Sequence, residues 1–261
     1  MTDLKNALWI ELRKAVRSRV PLFTFLGYMI FPLACALMMF IYKDPDFARK
    51  IGLIGAKANL VGGSADWPFL LNMLGQGIGA GGMILNGIII SWVFGREFSD
   101  GTLKDMLAVP VRRSTLLAAK FILFGLWSLA LMVVVYLSGL AVGAILNLPL
   151  GSPDLLWRGS LTAVIAAFLA LLAIFPMAFF ASVGRGYLLP IGFMMLILVI
   201  TNVISLLGYG TYFPWAIPML YASSAGKGLA LEPVSFWIVI FTGLAGLGIT
   251  ILWWKLADQS R

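Results

Sequence analysis

The sequence predicts an all-α membrane protein with six transmembrane helices, because it is too apolar for water and its apolar segments have the right length. Of its 261 residues, 61% are hydrophobic and 11% are charged, and the mean hydropathy is +0.98. Soluble domains carry about 25% charged residues, so an unusually apolar soluble domain is disfavoured. A helix needs roughly 20 residues to cross the hydrocarbon core of a bilayer. Six apolar segments reach that length: 20–42, 67–94, 115–146, 159–183, 188–207 and 234–254.

Lys and Arg residues are distributed unequally between the two sides of this arrangement. Thirteen lie at the N-terminus, in the loops after the second and fourth segments and in the tail, and six lie on the other side. Cytoplasmic loops of membrane proteins are enriched in Lys and Arg. We therefore predict that both termini are cytoplasmic, in the inner membrane of a prokaryote. The same asymmetry accounts for the net charge of +8 without a nucleic-acid partner.

The residues before the first segment, 3–19, predict an amphipathic helix at the membrane surface. Apolar residues recur at helical spacing, and four cations surround them: Lys5, Arg13, Lys14 and Arg17. We expect this helix to lie in the inner interface, in contact with membrane lipid, before Pro21 starts the first span. A cleaved signal peptide fits less well, because no A-x-A-like site follows closely. A basic topology anchor without a partner remains an open alternative.

The segment 208–233 differs from the other connections. It is aromatic and apolar, but Pro214 and Pro218 interrupt it. It is too broken to span a membrane and too apolar to lie free in water. We therefore predict a re-entrant helical segment that dips into the outer leaflet before the last span.

A G-x-G-x-x-G match at 77–82, followed by Asp100, is similar to a dinucleotide-binding fingerprint. No predicted strand precedes it, however, and the glycines lie inside the second apolar segment. Small residues four apart let membrane helices approach closely. We therefore assign helix packing to two pairs: Gly75 with Gly79, and Gly77 with Gly81.

Several function classes lack their residues in this sequence. There is no histidine and only one cysteine, Cys35, which removes the Ser-His triad and predicts no metal site. No G-x-x-x-x-G-K-[ST] phosphate loop occurs, and no charged residue lies near the middle of a predicted span. An intramembrane enzyme and an ion-coupled carrier or channel are therefore disfavoured. Most intramembrane polar side chains should bond between helices, and three are candidates for a cargo path: Asn72, Gln76 and Asn202.

The loop between the second and third segments, 95–114, predicts a short cytoplasmic helix. Thr102 can cap a helix that begins at Leu103, and Gly101 allows a sharp turn before it. Pro110 ends this helix by restricting the residue before it. An exposed apolar stripe at i, i+3 and i+4 spacing comprises Leu103, Met106 and Leu107. The stripe contacts either a partner protein or lipid.

The pattern GREFSDGTLKDMLAVPVRRSTLLAAK across this loop resembles the corresponding loop of type-2 ABC exporter permeases. In that family a Glu, a Gly-Thr-Leu, a Leu, a Pro, an Arg and a Lys recur at about this spacing. The motif covers about a tenth of the chain. The six-span layout, the basic N-terminal helix and the broken segment before the last span extend the resemblance to nearly all of it. The matching residues are Glu97, Gly101, Thr102, Leu103, Leu107, Pro110, Arg113 and Lys120.

The resemblance implies that this loop, which also contains Arg96 and Met106, is a coupling helix docked on a separate ATPase subunit. It implies a pump of two permease chains, identical or sister chains, and two ABC ATPase chains. ATP and Mg would be bound by the ATPase, so this chain would hold no cofactor and would not itself be an enzyme. Residues 1–261 would form a single transmembrane permease domain.

The interior of the predicted bundle is neutral, aromatic and rich in Met, which suits an amphiphilic cargo such as a peptide antibiotic, a hydrophobic drug or a lipid-like molecule. Export of a polysaccharide, haem or an ion-related cargo is the alternative within the family. We also expect Glu97, an acid at the inner end of the second span, to pair with a nearby cation or with the N-terminal helix. We expect that pair to be partly exposed and positional, contributing little to stability.

The charge asymmetry yields a topology prediction. In a Cys35→Ala background, a cysteine at Lys57 should react with an impermeant maleimide from outside the cell, and a cysteine at Lys104 should react only after the membrane is opened. Labelling of both positions from the same side would contradict the six-span arrangement.

Overall fold

The computed structural model describes residues 2–53, 63–108, 111–149, 153–224 and 231–256, and these residues form helices and connections without a strand. Lys57 and Pro110, used above, lie outside them. The helices are α1 Thr2–Arg17, α2 Val20–Lys43, α3 Pro45–Lys50, α4 Trp67–Gln76, α5 Gly82–Ser99, α6 Leu103–Ala108, α7 Arg113–Ile145, α8 Pro153–Ile174, α9 Pro176–Val183, α10 Leu188–Leu206, α11 Ile217–Ser224 and α12 Pro233–Leu256. A π-helical segment, Gly77–Gly81, joins α4 to α5, and a 3₁₀ turn, Gly210–Tyr212, precedes α11.

The prediction of six membrane-spanning helices is confirmed. Six helical stretches are long and apolar enough to cross a bilayer: Val20–Lys43, Trp67–Ser99, Arg113–Ile145, Asp154–Val183, Leu188–Leu206 and Pro233–Leu256. The second is continuous over 33 residues, about 50 Å at 1.5 Å per residue, so it extends beyond the hydrocarbon core. Arg96 and Glu97 therefore lie in its last helical turns and not in the following loop.

The glycine pairs of the second span allow the close approach that their spacing predicts, on two different faces. A Cβ at Gly79 would lie 2.7 Å from the Pro218 carbonyl oxygen of α11, and a Cβ at Gly75 would lie 3.4 Å from Ala222. Gly77 and Gly81 face the Phe31 ring of α2, where a Cβ at Gly81 would overlap the ring. The second span is thus wedged between α2 and the short helix α11.

The segment 208–233 is broken, as its prolines predict, into the 3₁₀ turn and the eight-residue helix α11. Ile217 and Ala222 of α11 are fully buried, because α11 packs against both α4 and α8. Residues 225–230 lie outside the described ranges. The depth of α11 in the outer leaflet stays a prediction.

The helix of the fourth span is interrupted between Ile174, where α8 ends, and Pro176, where α9 begins. Beside it, Gly246 of α12 has no room for a Cβ, which would lie 2.5 Å from the Pro176 backbone nitrogen. Gly243 is similarly close to the Leu172 carbonyl oxygen, 2.9 Å from a Cβ. Small residues at such crossings permit the van der Waals contact that holds membrane helices together. These close contacts hold α8 and α9 against α12.

The contact between Gly79 and α11 gives a stability prediction. Gly79→Ala should lower the free energy of unfolding by about 1–3 kcal/mol, because its Cβ meets a backbone carbonyl that cannot rotate away. Gly125→Ala on α7 is the control, since no described atom lies within 4 Å of a Cβ there. The thermal unfolding midpoint in detergent should fall for the first variant and stay level or rise for the second. Equal unfolding midpoints for the two variants would mean that Gly79 is not tightly packed against α11.

Candidate functional site

Four charged side chains converge at the end of the bundle that carries α1 and α6, which we call the base. The Lys120 Nζ lies 2.8 Å from the Glu97 Oε1 and 3.2 Å from the Glu11 Oε2, and it also donates to the Val93 carbonyl oxygen at 2.9 Å. The Lys14 Nζ lies 2.9 Å from the Glu11 Oε1 and 3.1 Å from the Glu97 Oε1. We call Glu11, Lys14, Glu97 and Lys120 the basal charge cluster.

The basal charge cluster is deeply buried and electrically balanced. The side chains of Lys120 and Glu97 are 0% and 2% exposed, and that of Lys14, at the rim, is 28% exposed. Two carboxylates face two ammonium groups, so no net charge is enclosed. The balance matters because a buried charge without its partner costs several kcal/mol.

Lys14, like Glu11, lies on α1 and outside the membrane spans. Burial disfavours its charged form, but the carboxylates of Glu11 and Glu97 outweigh that effect and raise the pKa of Lys14 above its ordinary value. Since the folded-state pKa is the higher one, the stabilising contribution is fully present below the ordinary lysine pKa and is lost only as pH rises beyond it. Lys14 is therefore charged across the neutral range.

The cluster joins three helices around the loop that contains α6. Glu11 and Lys14 belong to α1 and Glu97 to the last turn of α5. Lys120 belongs to α7, seven positions after its first residue. The sequence-based expectation that Glu97 pairs with the N-terminal helix is confirmed by its contact with Lys14. That pair is 28% exposed on its Lys14 side and 2% exposed on its Glu97 side, so it is partly exposed only at the rim. Lys120, which lies inside α7, closes the cluster on the buried side.

The C-terminal end of the loop is fastened to the last span. The Arg113 Nη1 donates to the Trp254 carbonyl oxygen of α12 at 3.0 Å, where a cation complements the C-terminal end of a helix dipole. The Trp254 indole is fully buried and donates from Nε1 to the Ser182 Oγ at 2.8 Å. Phe98, just before the loop, packs edge-on against Trp254 with ring centroids 5.9 Å apart. The loop is thus anchored at its entry by Glu97 and at its exit by Arg113.

Between these anchors, α6 has one buried face and one exposed face. Gly101 has a φ of +68°, the turn conformation that the sequence predicts. The Thr102 carbonyl oxygen accepts from the Met106 amide at 3.1 Å. Leu103 is 8% exposed, so the prediction that it belongs to an exposed stripe is wrong: it packs into the core of its own chain. Met106 is half-buried, while Lys104, Asp105 and Ala108 are exposed; the Leu107 side chain lies outside the described part.

An acidic cleft of about 520 Å³ separates α1 from the end of α5 and α6. Arg96 lies at its edge, with Nε 3.2 Å from the Asp100 Oδ2 and its guanidinium 5.0 Å above the Trp92 ring. The charged residues that line the cleft are Asp3, Glu11, Lys14, Arg96, Glu97, Asp100 and Asp105. The cleft is therefore mainly acidic although the chain as a whole is basic.

Comparison with known proteins places this arrangement in a family. Residues 7–202 match the family model described as ABC-2 family transporter protein. The chain belongs to the ABC-2 transporter family. A bacitracin transport permease protein of Bacillus licheniformis is 28% identical over 177 residues, which cover 68% of this chain and 85% of that protein. The chain is thus a multi-pass ABC-2 permease subunit.

The polar residues that the sequence marks as a possible cargo path are brought together only in part. The Asn72 Nδ2 of this permease donates to the Ser223 carbonyl oxygen at 3.3 Å, and the Gln76 amide donates to the Asn72 Oδ1. Both lie on α4 against α11. Asn202 is exposed on α10 and donates to the Leu198 carbonyl oxygen of its own helix. A cargo path along these residues stays a prediction.

Sequence reasoning missed two features of the permease. The pattern of residues 3–19 predicts an amphipathic helix but no partner for Glu11. An acid on the apolar face of a basic helix is nevertheless a usable signal for a buried partner. The Tyr28 hydroxyl donates to the Asn86 Oδ1 at 2.7 Å, and both side chains are fully buried between α2 and α5. Tyr28 carries no spacing signal, because a tyrosine in an apolar helix looks like any other aromatic residue.

The basal charge cluster predicts a large stability effect. Lys120→Met should destabilise the permease by about 3–5 kcal/mol, because it leaves two buried carboxylates with a single cation. Glu97→Gln should also lower the yield of folded protein, so its effect should not be limited to transport. Arg158→Gln is the matched control, because its pair with Asp154 is exposed and should contribute about 1 kcal/mol or less. Unfolding midpoints in detergent provide the measurement; a Lys120 variant as stable as the control would contradict the buried network.

Proposed function

We propose that this chain is the transmembrane subunit of an ATP-driven ABC exporter, in the inner membrane with both termini cytoplasmic. In this proposal a separate ABC ATPase binds ATP and Mg, and two permease chains and two ATPase chains form the pump. One observation carries the proposal: α6 is held between two anchors, the basal charge cluster at its entry and the Arg113–Trp254 bond at its exit. Membership of the ABC-2 family supports the ATPase partner.

The anchors define how movement would pass from the ATPase to the spans. A short helix on a flexible loop would absorb a push, whereas the loop that contains α6 is flanked at both ends by bonds that join α1, α5, α7 and α12. When two ATPase subunits close on ATP, the α6 helices of the two permeases are displaced with them. Since packed helices shift between discrete arrangements and do not deform continuously, this displacement moves the spans as bodies and alternates access to the cargo.

The exposed face of α6 is the surface that meets the ATPase. Leu103 is turned into the permease and holds α6 in place, so it cannot fill a groove on the partner. Among the residues whose side chains the structure describes here, the exposed ones are Gly101, Thr102, Lys104, Asp105 and Ala108. Short side chains and two charges beside a tight turn give a shallow contact, which relies on the rigidity of the loop.

The cargo in this proposal is amphiphilic, with a peptide antibiotic as the first candidate. A bacitracin transport permease protein is similar to this chain, and the described spans have no charged group near their middles. A neutral interior lined by aromatic and Met side chains accommodates apolar groups without the desolvation cost of a charge. Asn72 and Gln76, next to α11, supply polar contacts at the outer half of the second span.

The function is tested by expressing the permease with its ATPase in a bacitracin-sensitive bacterium. The expected result is a higher tolerated bacitracin concentration, which disappears when the phosphate-loop lysine of the ATPase is replaced. Purified complex in proteoliposomes should hydrolyse ATP faster when bacitracin is added. Stimulation by a different amphiphile would change only the proposed cargo, whereas transport without any ATPase would contradict the proposal.

The two faces of α6 give separable variants. Lys104→Glu should weaken association with the ATPase by about 1–3 kcal/mol, in the range of interface hot spots, and leave the permease's own unfolding midpoint unchanged. Leu103→Ala should instead destabilise the permease by about 2–5 kcal/mol, as truncation of a buried leucine does. Lys50→Glu, exposed on α3 at the opposite end, is the charge-matched control. Co-purification and thermal unfolding of each variant distinguish the two effects; normal ATPase recovery with Lys104→Glu would remove α6 from the interface.

A further inference from the structure

A second depression on α1 adjoins the acidic cleft and shares Ile10, Lys14 and Arg96 with it. It encloses about 340 Å³, and we call it the basic groove. Four of its six lining residues are cations and none is acidic. The lining comprises Trp9, Ile10, Arg13, Lys14, Arg17 and Arg96.

The cations of the basic groove are poorly matched by the chain itself. Arg13 and Arg17 lie one helical turn apart, are exposed, and have no carboxylate within 4.0 Å in the described ranges. Arg96 uses its Nε on Asp100, but its Nη1 is shielded from solvent and has no hydrogen-bond partner among the described residues. Three guanidinium groups that repel one another therefore converge on one space. Guanidinium pairs bind the oxygen atoms of phosphate in a fork geometry that lysine cannot offer.

An apolar surface adjoins the basic groove on α1. Trp9, Leu12 and Val16 are 62%, 41% and 72% exposed, although apolar side chains of this size are usually buried. Trp side chains favour the boundary between the hydrocarbon and the headgroups of a bilayer. The stripe Trp9, Arg13 and Arg17, with i, i+4 and i+8 spacing, runs along the edge of this apolar face.

A third depression, an apolar groove of about 340 Å³, lies on the other side of the apolar face, between α1 and α7. Leu12 and Val16 line it from α1, and Leu126 and Trp127 line it from α7. Cations on one side of an exposed apolar face and an apolar groove on the other require an occupant with an anionic end and an apolar body. A soluble anion would satisfy the guanidinium groups and leave the apolar groove empty.

We propose that the basic groove binds the phosphate of an anionic phospholipid, with the lipid's hydrocarbon covering the apolar face and entering the apolar groove. Arg13, Arg17 and Arg96 hold the phosphate, and Trp9 lies at the headgroup boundary. This site rests on the placement of α1 at the membrane surface in the proposed function, but not on the ATPase or the cargo. Because Glu11 and Lys14 sit on the same helix, the lipid also fixes the helix that completes the basal charge cluster.

The test uses the purified permease in nanodiscs of equal parts phosphatidylglycerol and phosphatidylcholine, without ATPase or cargo. Native mass spectrometry measures which lipid stays bound after the disc is removed. The wild-type protein should retain phosphatidylglycerol in preference to phosphatidylcholine. The double variant Arg13→Gln with Arg17→Gln should reduce that preference by at least about fivefold. Each basic residue near an anionic lipid surface changes binding by about fivefold.

The matched control is Lys5→Gln with Arg19→Gln, which removes two positive charges from the same end of the chain but outside the groove. The control should keep the preference, and both double variants should have wild-type unfolding midpoints in phosphatidylcholine alone. An equal loss in both variants would show diffuse attraction and overturn the proposal, as would an unchanged preference in the groove variant. Thermal stabilisation by inorganic phosphate, equal to that by phosphatidylglycerol and abolished by the groove variant, would assign the site to a free anion instead.

Discussion

The buried ammonium of Lys120 is the constraint on which the base of this permease depends. It sits 2.8 Å from Glu97 and 3.2 Å from Glu11, with no exposure to solvent. A lysine in such a position is tolerable only if carboxylates reach it from elsewhere, so α1 and the end of α5 must both come to α7. That requirement fixes where the N-terminal helix lies and where the second span ends. The orientation of α6, the acidic cleft and the basic groove all follow from it.

The membrane-spanning part is held by different means. Its contacts are close approaches between backbones, such as Gly79 with α11 and Gly246 with Pro176, and isolated buried hydrogen bonds such as Tyr28 to Asn86. Within lipid, an apolar side chain gains little by leaving one hydrocarbon environment for another, so shape and small residues carry the association. Ion pairs hold the helices of the base together, and close packing of small residues holds the membrane-spanning helices together.

The sequence predicts the six spans and the turn at Gly101, because each depends on local composition or on neighbours along the chain. The pairing of Glu97 with α1 joins positions 83 apart, and it is predicted because both are placed at the inner membrane surface by the topology. The sequence does not predict Lys120 with Glu11, since 109 residues separate them and only packing brings them together. It also misplaces Leu103. An apolar stripe on a short helix has the same spacing whether it faces a partner or its own bundle, so periodicity alone cannot choose. The direction of α6 is decided by its anchors, which lie in other helices.

The bond from Arg113 to the Trp254 carbonyl oxygen has a consequence for synthesis. It joins residues that are 141 positions apart, so Trp254 is synthesised long after the loop that contains α6. The loop with α6 is made early, yet its exit anchor exists only once α12 has been inserted. We expect a nascent chain halted before α12 to carry an unfinished docking surface. In the proposed pump, the ATPase would therefore meet a fully anchored loop only after α12 has been inserted.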